Sequence, residues 1–213
     1  MLDIAVLASG RGSNLRAIGA AIDAGQCDAR IVGVVSDRRK AAALEYAEER
    51  GIRSRVVPLK KGDDRALWNQ RLADEVAELR PALVVLAGFM RVLGSPLLER
   101  FPGRIINVHP AILPAFPGHD APEQAIAAGV RVSGCSVHVV DAGVDTGPVI
   151  AQAVIPVALD DTPASLHERI QVQEHRLLPK VVHEIARGRV RLDPLELDAN
   201  LSIPAVSLTC PDL

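Results

Sequence analysis

The sequence predicts an α/β fold, an open and mostly parallel doubly wound sheet with a β extension and a long helix toward its C-terminal end. Apolar runs alternate with helical patterns through the first half, as in sheets covered by helices on both faces. Apolar residues make up 48% of the 213 residues, whereas aromatic residues are only three Phe, one Trp and one Tyr, which predicts an aliphatic core. No repeat or linker is visible. Residues 1–188 are therefore expected to form one domain, with residues 189–213 as a C-terminal extension of the same domain.

Strands and helices alternate in the first half of the chain. The predicted strands are apolar runs, namely Asp3–Ser9, Arg30–Ser36, Ile52–Pro58 and Leu83–Ala87. The predicted helices contain good helix formers and end at glycine or proline, namely Asn14–Ala24, Ala41–Arg50 and a third that is capped by Asp63 or Asp64 and ends at Pro81. Four side chains are assigned to the apolar face of this third helix, namely Leu67, Leu72, Val76 and Leu79.

The second half of the chain changes character. A short strand is expected at Ile105–Val108, and a proline-rich loop follows it. Two β segments, Val132–Val140 and Val149–Val157, lie on either side of a glycine-containing loop and predict a hairpin-like extension. A long amphipathic helix is predicted at Thr162–Ala186, with a threonine cap and a proline in its first position.

Composition and charge exclude several function classes. The chain has 24 basic and 26 acidic residues and a formal net charge of −2, and it lacks aromatic stacking platforms, so no nucleic-acid partner is expected. No apolar run is long enough for a bilayer, and the N-terminus does not resemble a signal peptide, so no membrane partner is expected. Cys27, Cys135 and Cys210 are far apart and predict no disulfide framework. This cysteine usage favours a reducing, cytoplasmic location.

A glycine turn follows the first strand, at the edge where open α/β sheets bind anions. In Ser9-Gly10-Arg11-Gly12-Ser13-Asn14 the glycines allow close backbone approach, and free amides at the start of the next helix attract phosphate. A dinucleotide fingerprint needs a third glycine where this chain has Leu15, and the lysine of a Walker loop is absent. Two close glycines can also form a merely tight turn, but Ser13 and Asn14 can both donate to oxyanions. The pattern therefore favours a phosphomonoester.

Three polar side chains from distant segments form a candidate catalytic group. Asn107 and His109 lie two residues apart at the carboxyl end of a predicted strand, where open α/β sheets bind ligands. The Asn107 amide can donate to an oxyanion, and His109 can carry a proton near neutral pH. Asp145 is a candidate partner whose charge would raise the His109 pKa above its ordinary value of roughly 6.5. A polar pair at a strand end can equally be structural.

Other chemistries fit the sequence less well. No Gly-x-Ser-x-Gly elbow is present. Cys135 and His138 are spaced like metal ligands, but residues three apart in a strand face opposite sides. No metal site is therefore predicted, and His138 is interpreted as a packed or hydrogen-bonded structural histidine. His119 and Asp120 lie in the proline-rich loop and could touch substrate, but they are interpreted as solvated side chains.

Five motifs follow one another along the chain, namely Gly10–Leu15, Leu86–Leu93, Gly103–Pro114, Asp141–Pro148 and Gln171–His175. This order resembles the phosphoribosylglycinamide formyltransferases, the folate-dependent GAR transformylases of purine synthesis, from about residue 3 to about residue 187. The resemblance implies a Rossmann-like formyltransferase domain. It also implies direct transfer of a formyl group from the co-substrate 10-formyltetrahydrofolate to the amine of glycinamide ribonucleotide, through a tetrahedral intermediate. No metal or redox cofactor is implied.

The resemblance also implies roles for individual residues. Asn107 would hold the oxyanion, His109 would act as general acid and then relay protons, and Asp145 would raise the histidine pKa and order a proton-shuttling water. Glycinamide ribonucleotide would contact Gly12, Ser13, Asn14, Gln171 and Glu174, the first three at its phosphate. The folate would contact Arg65, Met90, Arg91, Val92, Leu93, Asn107, Asp141 and Val144. Small molecules are the expected partners, in a monomer or a homodimer.

Two departures and three alternatives accompany this resemblance. Ala111 stands where the family usually has serine, and Asp120 where it often has histidine. Methionyl-tRNA formyltransferase carries an additional RNA-binding domain, for which the residues after Gly188 leave no room. Formyltetrahydrofolate deformylase usually has an N-terminal regulatory domain, whereas this chain starts at its first strand. A non-catalytic phosphosugar- or folate-binding module is the alternative from another class, against which the intact Asn107, His109 and Asp145 argue.

Overall fold

A computed structural model describes residues 1–198 of the chain. The strands are β1 Leu2–Leu7, β2 Ala29–Ser36, β3 Ser54–Val56, β4 Leu83–Leu86, β5 Ile105–His109, β6 Val132–Val139, β7 Val149–Pro156, β8 Val190–Leu192 and β9 Leu195–Leu197. The helices are α1 Ser13–Asp23, α2 Ala42–Glu49, α3 Arg65–Glu78, α4 Ser95–Arg100, α5 Ala121–Ala127 and α6 Pro163–Ala186. The last residues of the predicted C-terminal extension, with Cys210, lie outside the described part of the chain.

Seven strands form one sheet in the order β3-β2-β1-β4-β5-β6-β7. The first five of these pair in parallel, and β6 and β7 continue the sheet as an antiparallel pair. The chain moves outward from β1 to β3 and then crosses to β4 on the other side of β1. This reversal creates a crevice at the carboxyl ends of β1 and β4, which is where open α/β sheets bind ligands. The predicted mostly parallel sheet and its hairpin extension are confirmed.

Apolar side chains cover both faces of the sheet. Along β1, Ile4 and Val6 belong to the apolar cluster that includes residues of α1 and α6, whereas Ala5 and Leu7 belong to the cluster that includes residues of α3. Successive strand residues point to opposite faces, so a continuous apolar run is what a strand between two helical layers requires. The doubly wound arrangement is therefore built into the apolar strand sequences.

Two predicted helix caps are present. The side chain of Asp64 accepts hydrogen bonds from the backbone N–H groups of Ala66 and Leu67, at 2.8 and 3.2 Å. At the start of α6, the Thr162 hydroxyl accepts from the Ser165 backbone N–H, and the Ser165 hydroxyl accepts from the Thr162 N–H. Both caps pair amide groups that the first turn of a helix leaves without partners.

One side chain of α3 lies on a different face from the predicted one. Leu67 is 66% exposed, whereas Leu72 is buried, so the assignment of Leu67 to the apolar face was wrong. Five residues correspond to a rotation of about 500°, which leaves Leu67 about 140° away from Leu72. Trp68 takes the buried position instead, and its Nε1 donates to the Val57 carbonyl at 2.9 Å.

Four short elements were not predicted from the sequence. Helices α4 and α5 contain six and seven residues, too few for an apolar period to be visible. Strands β8 and β9 form a separate antiparallel hairpin after α6. Within residues 1–198, no helix has the length and apolar character that a membrane span needs.

Candidate active site

A cavity of about 520 Å³ opens at the carboxyl ends of β1, β4 and β5, a volume typical of small-molecule sites. The loops that follow these three strands line it, together with the β6–β7 loop and one face of α6. The cavity brings together all the predicted catalytic and glycinamide ribonucleotide residues. Of the predicted folate residues, Arg65 is the one that does not line the cavity and instead contacts its rim through the Val92 carbonyl.

The glycine turn closes one end of the cavity. Gly12 has a φ of +71°, and a Cβ at this position would lie 3.0 Å from Ala43 Cα, so both the conformation and the space require glycine. Helix α1 begins at Ser13 without a side-chain cap and without an acidic residue in its first turn. Its first amides and the positive end of the helix dipole therefore remain available to an anion.

Asn14 and Glu174 meet beneath this turn. The Asn14 side-chain nitrogen donates to Glu174 Oε2 at 2.8 Å, and both residues are buried. Burial raises the pKa of Glu174, and the hydrogen bond from Asn14 opposes part of that rise. The Asn14 side-chain oxygen is buried without a hydrogen-bond partner. This oxygen is an acceptor, so a bound ligand can satisfy it only with a donor group such as a hydroxyl.

Asp145 links the other two predicted catalytic residues. Its Oδ2 lies 3.3 Å from His109 Nδ1, and its Oδ1 accepts from the Asn107 side-chain nitrogen at 3.3 Å. The Gly118 backbone N–H donates to Oδ2 at 2.8 Å. Burial acts to raise the pKa of Asp145, but contacts with His138 and Gly118 and the nearby imidazoles outweigh it, so the pKa lies below its ordinary value. Asp145 is therefore a carboxylate at neutral pH.

A side-chain staple holds the loop that carries Asp145. Asp141 Oδ1 accepts from the Thr146 hydroxyl at 2.7 Å and from the Gly143 backbone N–H at 3.0 Å. A Cβ at Gly143 would collide with the Thr146 hydroxyl. Asp145 itself has a φ of +55°, which costs a non-glycine residue conformational energy. The Asp141 carboxylate is thus engaged within the loop, although Asp141 also lines the cavity.

His109 contacts an acceptor at each ring nitrogen. Its Nε2 donates to the Phe116 carbonyl at 2.8 Å, while Nδ1 faces Asp145. Burial nevertheless lowers the His109 pKa below its ordinary value, outweighing the Phe116 hydrogen bond and the Asp145 charge, which both raise it. The expectation of a raised His109 pKa was therefore wrong. The carboxylate acts in the predicted direction, but desolvation of the imidazolium is the larger effect.

His138 is a site residue that the sequence analysis missed. It is buried and hydrogen-bonded, as interpreted, but its partners belong to the candidate catalytic group. Nδ1 donates to the Val139 carbonyl at 2.9 Å, and Nε2 lies 3.1 Å from the Asn107 side-chain nitrogen and 3.4 Å from Asp145 Oδ1. The signal lies in strand register, because Asn107 and His138 are directly paired across β5 and β6. Among the described residues, no group of three or more His, Cys, Asp or Glu could hold a metal ion.

The opposite end of the cavity carries two arginines and an apolar rim. Arg91 Nε donates at 2.7 Å to Asp37, whose side chain is fully buried. The Arg65 guanidinium stacks 4.5 Å from the Trp68 ring centre. Its pKa is lowered by burial and by the charge of Arg91. Three apolar side chains at this end are about half exposed, namely Met90, Val92 and Val144.

The predicted loop residues His119 and Asp120 are both exposed and border the cavity. Asp120 precedes α5 with a φ of +55° and makes no capping hydrogen bond with its side chain. Their interpretation as solvated side chains agrees with this exposure.

Comparison with known proteins identifies the family. The formyl transferase family model matches residues 2–182. The chain is 47% identical over 185 residues to phosphoribosylglycinamide formyltransferase of Mycobacterium tuberculosis, a match that covers 86% of this chain and 84% of the relative. The chain belongs to the formyl transferase family. The family resemblance inferred from the five motifs is thereby confirmed.

Two further matches show how much of this chain, and of each similar protein, is alike. Glycinamide ribonucleotide transformylase 1 from Symbiobacterium toebii has a crystal structure that matches this formyl transferase with a TM-score of 0.89 and 40% identity, over 93% of this chain and 94% of that one. The trifunctional purine biosynthetic protein adenosine-3 of Bos taurus is 40% identical over 189 residues, but this chain spans only 19% of that protein. The formyltransferase fold predicted from the sequence is confirmed.

Proposed function

We propose that this formyl transferase moves a formyl group directly from 10-formyltetrahydrofolate to the amine of glycinamide ribonucleotide, giving formylglycinamide ribonucleotide and tetrahydrofolate. The reaction is that of the phosphoribosylglycinamide formyltransferases, to which the chain is 47% identical over 185 residues. One observation carries the mechanism: Asp145 contacts both Asn107 and His109 in the same cavity that contains the glycine turn. The site proposed for the phosphate of the acceptor substrate and the proposed proton-transfer group thus lie in one cavity.

The two substrates would enter from opposite ends. The phosphate of glycinamide ribonucleotide would bind the amides of Gly12, Ser13 and Asn14, and Gln171 and Glu174 would hold its sugar and glycinamide end. The folate would lie along the apolar rim formed by Met90, Val92, Leu93 and Val144, near Arg65, Arg91, Asn107 and Asp141. The amine and the formyl carbon would then meet beside Asn107.

Asn107 would stabilise the oxyanion of the tetrahedral intermediate. Its side-chain amide has two hydrogens, and the contacts to His138 and Asp145 occupy both. One of them must therefore turn to the formyl oxygen when substrate binds. We expect the Asp145 contact to be released, because at 3.3 Å it is the longer of the two. His138 would keep the amide nitrogen facing the cavity.

His109 would transfer the proton between the two nitrogens. Attack of the amine on the formyl carbon forms a C–N bond and leaves a positive charge on the attacking nitrogen. Burial lowers the pKa of His109, and its Nε2 hydrogen is donated to the Phe116 carbonyl. The nitrogen that would accept this proton is therefore Nδ1, which faces Asp145, through a water that Asp145 orders. The imidazolium, stabilised by Asp145, then gives the proton to the folate nitrogen as the old C–N bond breaks. The general-acid step is thus preceded by a general-base step at the same residue.

The experiment is an assay of the purified protein with 10-formyltetrahydrofolate, followed by folate absorbance, with and without glycinamide ribonucleotide. We expect turnover only when both substrates are present. Turnover without the ribonucleotide would instead indicate a deformylase. Absence of turnover with both would favour a binding module. A monomer or homodimer, a single domain over residues 1–188 and a cytoplasmic location stay predictions.

A further inference from the structure

Two polar contacts join the glycine turn to helix α6. In the inner contact, Asn14 donates to Glu174 at 2.8 Å, and in the outer contact, Arg11 Nη2 donates to Gln171 Oε1 at 3.4 Å. The two contacts are three residues apart on both segments and therefore lie one above the other on α6. All four residues line the cavity. They form a wall across its glycine-turn end.

The two contacts differ in strength and in charge. The inner contact is short and buried, whereas the outer contact is at the limit of a hydrogen bond and exposed. Within residues 1–198, Arg11 forms no ion pair with a carboxylate and has the neutral Gln171 as its hydrogen-bond partner. A guanidinium prefers a planar anion that accepts two hydrogen bonds. The outer contact is therefore easily exchanged for an anionic ligand.

The charge of Arg11 also acts on the neighbouring imidazoles of α6. Burial lowers the pKa of both His167 and His175, and the charge of Arg11 lowers both further. His167 Nε2 lies 3.4 Å from the Gln171 side-chain nitrogen, and His175 Nε2 is buried without a hydrogen-bond partner. Arg11 is thus the group that carries positive charge on this wall at neutral pH, while the backbone of the glycine turn supplies uncharged amides.

We propose that Arg11 binds the phosphate of the acceptor by exchanging its contact with Gln171 for the phosphate oxygens. The inference rests on the proposed function and assigns a specificity role to a side chain that the motif analysis did not use. Arg11 directly precedes Gly12, so its guanidinium can reach the anion that the amides of Gly12 and Ser13 bind. The exchange frees the Gln171 carboxamide for a sugar hydroxyl. Recognition of the phosphate and of the sugar is thereby coupled.

The test measures the affinity of glycinamide ribonucleotide and of its dephosphorylated riboside by calorimetry, without folate. Arg11→Ala should weaken binding of the ribonucleotide by about 10- to 100-fold, the range for a lost charge-assisted hydrogen bond. It should change the affinity for the riboside by no more than about twofold, since that ligand lacks the group that Arg11 binds. Arg11→Lys should fall between wild type and Arg11→Ala, because lysine keeps the charge but not the planar fork.

Arg16→Ala is the matched control. Arg16 lies in α1, the helix that follows the glycine turn, and carries the same charge as Arg11. Its guanidinium stacks 4.8 Å from the Tyr46 ring centre and does not line the cavity. We expect this variant to bind both ligands as wild type does. Gln171→Ala should weaken binding of the ribonucleotide and of the riboside to the same extent, because the Gln171 carboxamide is assigned to the sugar, which both ligands contain.

Three outcomes would overturn the proposal. An equal loss for both ligands in Arg11→Ala would mean that Arg11 only orients Gln171. An unchanged affinity for the ribonucleotide would mean that Arg11 does not reach the phosphate. Failure of the wild-type protein to bind the ribonucleotide would overturn this proposal and the proposed function together. The wild-type protein could also bind the ribonucleotide without formylating it. If Arg11→Ala then weakened binding of the ribonucleotide but not of the riboside, the role of Arg11 would be supported and only the proposed reaction would be overturned.

Discussion

The glycine-turn end of the cavity differs from the region of the proposed catalytic residues Asn107, His109 and Asp145, the catalytic end, in how completely its polar atoms are paired. At the catalytic end, both ring nitrogens of His109 and both carboxylate oxygens of Asp145 contact protein atoms. At the glycine-turn end, α1 begins without a cap, and the buried Asn14 side-chain oxygen has no partner. The catalytic end is thus organised in advance, whereas a ligand completes the other end. Substitutions should lower kcat at the first and raise KM at the second.

The largest effect should come from His109→Ala. Removing the imidazole leaves no side chain to carry the proton between the attacking and leaving nitrogens, so kcat should fall by about 10²- to 10⁴-fold. The KM for glycinamide ribonucleotide should change little, and steady-state kinetics measure both. His119→Ala is the control, since it removes an exposed imidazole beside the same cavity and should affect kcat far less. Near-full turnover in His109→Ala would contradict the expectation that substitutions at the catalytic end lower kcat.

Asp145→Asn should have the next largest effect and should also shift the pH profile. Asp145 raises the His109 pKa, while burial and the neighbouring His138 lower it. The neutral amide removes the raising effect, so the His109 pKa should fall further, and the limb of the kcat/KM profile that His109 sets should move to lower pH. kcat should fall by about 10- to 100-fold because the imidazolium loses its counter-charge. A limb that moves to higher pH would contradict this assignment.

The features that the sequence predicted depend on residues close together along the chain. The glycine turn after β1, the Asp64 cap and the polar residues at the end of β5 each follow from a short segment and its ordinary preferences. Convergence of Asn107 and His109 with the glycine turn also follows, once the strands are taken as parallel, because their carboxyl ends share one edge. The sequence therefore indicated the general place of the site.

The features that could not be predicted from the sequence depend on strand register and on burial. His138 reaches Asn107 because β5 and β6 pair at those two residues, and no local pattern sets this register. The sign of the His109 pKa shift depends on how much water the folded loops exclude, since burial outweighs the visible carboxylate. Leu67 was misassigned because five residues do not return to the same face of a helix.

Asn14→Ala tests the glycine-turn end of the cavity. It removes the unpaired side-chain oxygen and the donor to Glu174, so we expect the KM for glycinamide ribonucleotide to rise about 10-fold, the scale of one charge-assisted hydrogen bond. kcat and the KM for the folate should change little. Asn69→Ala is the control, because Asn69 also has a buried unpaired oxygen but lies outside the cavity. A loss of kcat with unchanged KM would assign Asn14 to the catalytic end.

Thr146→Val should have the smallest effect and tests how the catalytic end is organised. Valine keeps the shape of threonine but cannot donate to Asp141, so it removes one of the two hydrogen bonds that staple the loop. Asp145 keeps its direct contacts, and the lost hydrogen bond is exposed to solvent, so kcat should fall only about 2- to 10-fold. Thr146→Ser retains the hydroxyl and should restore most of the loss. If serine and valine lower kcat equally, the methyl packing of Thr146 rather than the staple holds Asp145 in its left-handed conformation.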